Sequence, residues 1–111
     1  MGKSDKIDLM RPTRENEAAI LDWLKSHPGW ERSAPDGLRK SYAFKDFSEA
    51  LAFVVRVGLA AERFDHHPDL ELGWGRAYVR WSTHDAKGIT SLDFRLAELC
   101  DTIVEGHQAQ R

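Results

Sequence analysis

The stretch from Phe47 to Thr83, FSEALAFVVRVGLAAERFDHHPDLELGWGRAYVRWST, changes its hydrophobic period midway, and that change decides the fold. In its first half Phe47, Ala50, Leu51, Val54, Gly58 and Ala61 recur at spacings of three and four, the repeat of one face of an α-helix. In its second half Asp69-Leu70-Glu71-Leu72 alternates before Gly73 and Gly75, and Ala77, Val79 and Trp81 alternate after them, as two strands joined by a turn would. Pro68 disfavours helical dihedrals in the residue before it, so the helix must end near His66. Ser48 is the expected N-cap. Gly58, where Ala would be the better helix former, predicts close packing against a sheet. One further step of four along the stripe puts Glu62 on the same inward face.

The same reading extends outward. Thr13 is placed to cap a helix with Glu15 and Glu17 in its first turn, running to about Ser26 and stopped by Pro28-Gly29. Trp30 to Ser33 and Leu38 to Phe44 read as a hairpin around Pro35-Asp36-Gly37, with Leu38, Tyr42 and Phe44 on one face. Thr90-Ser91-Leu92-Asp93 resembles a capping box opening a helix that bears Leu92, Leu96, Leu99 and Ile103, flanked by Ala97 and Cys100. The order α-β-β-α-β-β-α predicts an α+β two-layer sandwich, an antiparallel sheet covered on one face by helices. A single domain is expected over residues 1–111, with loose ends at residues 1–10 and from Glu105 to Arg111.

Composition limits the partners. The chain has 111 residues and a formal net charge of −2, so no global positive field exists to gather nucleic acid or anionic lipid. No segment approaches the roughly 20 apolar residues of a membrane span, and the first residues lack the apolar core of a signal peptide. A cytoplasmic, soluble protein is expected. The single Cys100 can form neither an internal disulfide nor a thiolate cluster and reads as core filler. A chain this small buries only about two-thirds of its unfolded surface, so self-association would help it. Trp74, Tyr78 and Trp81 are expected in core or partly buried positions.

Of five histidines, three gather in a short span. A turn centred near Gly75 would set His67 opposite His84, and Glu62, one helical turn before His66, could hold that ring. His27 at a helix end and His107 near the terminus read as surface or capping residues. The cluster admits three readings. His66, His67 and His84 could merely satisfy backbone groups. They could bind a metal with Glu62, although adjacent residues diverge and neither an HExxH pattern nor a cysteine pair is present. Two imidazoles flanking a substrate for acid-base chemistry near neutral pH is the better fit.

The strings Glu62-Arg63-Phe64-Asp65-His66-His67-Pro68 and Ser82-Thr83-His84-Asp85-Ala86-Lys87-Gly88-Ile89-Thr90-Ser91-Leu92-Asp93 resemble the signature of the pterin-4a-carbinolamine dehydratases. Gly29-Trp30 and the run from Leu38 to Phe47 agree with it. The resemblance implies a four-stranded antiparallel sheet with three helices on one face, and homodimers or homotetramers. It implies dehydration of 4a-hydroxytetrahydropterin to the quinonoid dihydropterin, in recycling of tetrahydrobiopterin beside an aromatic amino acid hydroxylase. No metal or organic cofactor is implied, the pterin being the substrate. His66 and His84 would be the acid-base pair, His67 a substrate-binding group and Glu62 the orienter of the pair. Pro68 and Thr83, His84, Asp85 and Ala86 would line the pterin pocket. Asp93 has two readings, a favourable carboxylate in the first turn of its helix or an orienter of His84. The resemblance departs at the turn Gly73-Trp74-Gly75-Arg76 and at Lys87, which bears on substrate preference and oligomer contacts. A second role implied by the family is a non-enzymatic dimerisation, assembly or transcriptional coactivator-type interaction protein.

Overall fold

The computed structural model describes residues 12–109. The elements follow in the order α1 (Glu17–Ser26), β1 (Glu31–Ser33), β2 (Gly37–Ala43), α2 (Phe47–Phe64), β3 (Asp69–Gly73), β4 (Arg76–Trp81), a 3₁₀ turn (His84–Ala86) and α3 (Ser91–Ala109). The four strands form one antiparallel sheet in the order β1-β2-β4-β3. This is the α+β sandwich expected. Alternation along β4 turns Ala77, Val79 and Trp81 toward the helices, where they meet Ile20 and Trp23 of α1, Phe53, Val57 and Ala61 of α2, and Leu96, Ala97 and Cys100 of α3. Each large apolar side chain so buried contributes roughly 1.5–3 kcal/mol relative to exposure.

Both expected N-caps are displaced. Asn16, not Thr13, caps α1, its side chain accepting from the Ala19 N–H at 2.8 Å, while Arg14 pairs with Thr90 in an isolated bridge. Asp46, not Ser48, caps α2, accepting from the Glu49 N–H at 2.9 Å. A cap needs extended backbone as well as a side-chain oxygen, and Asp46 has it at φ −159°, whereas Ser48 is already helical.

The inward face of α2 also differs from the expected stripe. Ala50, Phe53, Val57, Ala60 and Ala61 are buried, while Phe47 and Leu51 are exposed and Leu59 is 62% exposed. A Cβ at Gly58 would meet nothing within 4 Å, so no close approach explains that glycine. Nearly every residue from Ala50 to Ala61 is apolar, which makes the period ambiguous, and the sheet selects the face carrying Phe53 and Val57. Glu62 is consequently exposed rather than inward.

The β3–β4 hairpin turns at Trp74-Gly75, pairing Gly73 with Arg76 and Asp69 with Arg80. Gly75 has φ +70°, a conformation open to glycine at little cost, and Trp74 is 74% exposed at the tip instead of packed. Tyr78 is half-buried and Trp81 is in the core. Trp81 donates its indole N–H to Cys100 Sγ at 3.4 Å, and burial pushes that thiol up to about 12. At the far end of the sheet Asp101 of α3 accepts from Trp30 Nε1, Lys40 Nζ and Tyr42 Oη at 3.0, 2.7 and 2.6 Å. The helix carrying it continues past Glu105 to Ala109, and residues 1–11, Gln110 and Arg111 lie outside the described residues. No described helix is long and apolar enough to cross a membrane.

Candidate active site

The end of α2 sets the geometry. Asp65 adopts left-handed dihedrals, φ 49° and ψ 45°, and its N–H bonds Glu62 O while the His66 N–H bonds Ala61 O. This paired closure ends the helix two residues before His66 and turns the chain inward. The helix therefore does not carry Glu62 and His66 onto one face. Glu62 instead shares a hydrogen bond with His67 Nε2, both side chains being exposed.

His66 enters the protein. Its side chain is 11% exposed, its ring lies parallel to Trp81 with centroids 5.8 Å apart, and its Nε2 sits 2.7 Å from Asp93 Oδ1. Asp93 is fully buried, and a buried carboxylate needs compensation from hydrogen bonds. Its other oxygen accepts from the Thr90 N–H at 2.8 Å, from Thr83 Oγ1 at 2.7 Å and from Thr90 Oγ1 at 3.3 Å. Asp93 is thus the helix-capping carboxylate, as one expectation had it, but the histidine it holds is His66 and not His84. With the Nε2–H donated to Asp93, a neutral His66 carries its lone pair on Nδ1.

His84 opens the 3₁₀ turn, in a loop closed by mutual backbone bonds between Thr83 and Gly88 at 2.9 and 3.2 Å. Lys87 turns the corner with φ 58°. Gly88 is packed tightly, since a Cβ there would lie 2.5 Å from Asp36 Oδ2 and 2.6 Å from Arg14 Nε, and those side chains would have to shift to admit it. Among the described residues the His84 ring has no side-chain hydrogen bond.

The observed register would place Ser82, not His84, opposite His67. The offset of two residues preserves the face, and the histidines still converge. A cleft of about 270 Å³ is lined by His66, His67 and His84 with Asp65, Ser82, Thr83 and Asp85. Beside it lies a lobe of about 240 Å³ lined by Pro35, His67, Asp69, Arg80, Ser82 and His84, and a third of about 330 Å³ follows Pro35, Asp36 and the loop from Ser82 to Gly88. Pro68 and Ala86, expected in the pocket, line none of these lobes, and Glu62 borders a separate groove beside α3. Pro35, Arg80 and Ser82 were not foreseen, because nothing local marks them: a turn, a strand and a sheet edge distant in sequence meet there.

His27 lies elsewhere, stacked on Trp23 with its Nε2 2.9 Å from Glu98 Oε2, and the His107 side chain is outside the described residues. Among the described residues no group of three His, Cys, Asp or Glu side chains is arranged to hold a metal ion.

The chain resembles known proteins in sequence and in fold. The family model for pterin 4 alpha carbinolamine dehydratase matches residues 13–103. A Rhodospirillum rubrum protein named "Putative pterin-4-alpha-carbinolamine dehydratase" is 44% identical over 92 residues, spanning 82% of this chain and 96% of the relative. A protein of the same name from Thermomicrobium roseum is 45% identical over 84 residues, spanning 76% and 89%. The crystal structure of a "transcriptional coactivator/pterin dehydratase" from Brucella melitensis matches with a TM-score of 0.77 at 33% identity, covering 82% of this chain and 98% of that one. By sequence and by fold alike, the chain belongs to the pterin-4a-carbinolamine dehydratase family.

Proposed function

We propose that the protein dehydrates a 4a-hydroxytetrahydropterin to the quinonoid dihydropterin, with His66 and His84 exchanging the protons. The observation that carries this reading is the convergence of three imidazoles in one cleft, each keeping at least one ring nitrogen unbonded among the described residues. In the reaction the C4a–O bond breaks, N5 loses its proton, a C4a=N5 double bond forms and water departs. His66 Nδ1, fixed as an acceptor by the Asp93 bond, takes the N5 proton. His84, whose ring has no side-chain hydrogen bond among the described residues, delivers one to the leaving hydroxyl. Exchange with solvent restores both rings. His67, braced by Glu62, binds the pterin. The reaction needs no metal or organic cofactor.

General acid-base catalysis of this kind is worth about 10² to 10⁴ in rate. His66→Ala and His84→Ala are each expected to lose that factor in stopped-flow decay of the carbinolamine with native circular dichroism; His84→Ala should melt close to wild type, while His66→Ala, which strips a partner from buried Asp93, should lose about 1–3 kcal/mol of stability yet stay folded at the assay temperature. Wild-type rates in both variants would overturn the reading. The word coactivator in the name of the Brucella structure supports a second, non-enzymatic reading as an interaction protein, which the same assay separates: an interaction protein would show no acceleration even with every histidine intact. The reading places the enzyme in tetrahydrobiopterin recycling beside an aromatic amino acid hydroxylase, in the cytoplasm, and as a homodimer or homotetramer. The exposed row Phe47, Leu51, Val55 and Leu59 on α2 supports self-association, and sedimentation would read it directly.

A further inference from the structure

Binding sites for flat heteroaromatic molecules combine a few polar groups with apolar surface that covers a ring face. The cleft holding the three histidines has no wholly apolar side chain in its walls: apart from the rings themselves, they are Asp65, Ser82, Thr83 and Asp85. Across the two adjoining lobes only one side chain is wholly apolar, and it is the same one in both, Pro35 on the β1–β2 loop. His84 also lines both lobes, so Pro35 and the residue that opens the 3₁₀ turn border the same two lobes beside the histidine cleft. We infer that Pro35 supplies the apolar face against which the substrate ring lies, and that Arg80 is the positioning residue that keeps it there. The inference rests on the pterin reading above and extends it to a wall that the histidine motifs do not contain.

Three observations tie the loop down. Arg80, on β4 and facing away from the helices, donates from Nε to Ser33 Oγ at 2.9 Å and from Nη2 to the Ala34 carbonyl at 3.1 Å, gripping the two residues before Pro35. The residue after it, Asp36, accepts from Arg32 Nη2 at 2.8 Å and from Arg14 Nη2 at 2.8 Å. Its carbonyl accepts from Ser82 Oγ at 2.9 Å, binding the loop to the segment that leads into His84. A guanidinium that forks onto a neighbouring loop is a rigid strut, because its donors are fixed in one plane. Pro35 is thus anchored on both sides where it borders the two lobes.

The test is steady-state kinetics of Pro35→Ala and Arg80→Ala, with binding of a 7,8-dihydropterin, which cannot be dehydrated, measured by fluorescence. Removing part of an apolar wall costs about tenfold in binding. Pro35→Ala is therefore expected to raise KM and the dihydropterin Kd by about tenfold with kcat changed less than about threefold. Arg80→Ala should move KM and Kd in the same direction and leave the pH profile of kcat unaltered. Ser33→Ala, which removes only the Nε acceptor, gives a smaller shift of the same kind and guards against a misfolded Arg80 variant. Unchanged KM and Kd in Pro35→Ala, or a fall in kcat at constant KM in all three variants, would overturn the inference while leaving the histidine chemistry intact. A wild-type protein that neither accelerates dehydration nor binds dihydropterin would instead remove the reading on which it rests.

Discussion

α3 presents a carboxylate to a histidine at two places, and the two pairs end differently. Near its middle Glu98 meets His27: Oε2 lies 2.9 Å from Nε2 and also accepts from Trp23 Nε1, while His27 Nδ1 lies 2.7 Å from the Trp23 carbonyl and 3.0 Å from Ser26 Oγ. Both nitrogens of that ring are engaged, and its face is stacked on Trp23 at 3.9 Å. At the N-terminal end Asp93 meets His66, but there, among the described residues, only Nε2 is engaged and the other nitrogen is left over. His67 is in the same condition and His84 has neither nitrogen bonded among the described residues. A histidine beside a carboxylate is thus not by itself a functional mark. What separates the two regions is unused hydrogen-bonding capacity next to an open cleft, which protein interiors normally eliminate.

The comparison can be broken at either end. The largest effect is expected from Asp93→Asn. An amide that keeps its oxygen toward the Thr90 N–H and Thr83 Oγ1 presents NH₂ to His66, which reverses the ring's donor and acceptor and removes the lone pair from Nδ1. Dehydration should fall by about 10²-fold or more, as when a triad carboxylate is neutralised. A rate within threefold of wild type would show that His66 does not depend on its tautomer.

His27→Ala should do the opposite. Losing the Trp23 stack and the Glu98 bond is expected to cost about 1–3 kcal/mol in urea unfolding, with kcat and KM unchanged. An effect on kcat would erase the distinction between the two regions.

Asp36 offers the smallest and most specific change. Burial alone pushes its carboxyl up, but hydrogen bonds from Arg32 and Arg14 outweigh that and hold it below the ordinary carboxylate range. A group whose value is depressed by folding contributes stability above its unfolded value, near 3.9, and loses it as pH falls through the folded value. Asp36→Asn should therefore be less stable than wild type at pH 7 by about 1 kcal/mol or less, with the gap closing below about pH 4. A gap that does not narrow at all between pH 5 and pH 3 would mean that shape, not charge, holds the loop.

The sequence made the two hairpins, the three helices and the convergence of three histidines legible, because each rests on a local period or on a turn whose partners follow within a few residues. What it concealed lay across distance or within degeneracy. Several capping residues compete at each helix start, and only the backbone decides between Asp46 and Ser48. An almost wholly apolar α2 allows more than one inward face. The left-handed Asp65 interrupts the spacing that would have joined Glu62 to His66, and His66 finds Asp93 at a separation of 27 residues, beyond any pattern that a single sequence displays. Pro35 and Arg80 are hidden for the same reason.

The missing side chain at Gly88 has a consequence for anyone wishing to alter the substrate range. Because Asp36 and Arg14 occupy the space where a Cβ would be, the β1–β2 loop and the His84 loop touch without a spacer. They cannot be diversified separately. A library that varies one while holding the other fixed will mostly sample collisions, so the two loops are best recombined as one unit with the glycine kept constant.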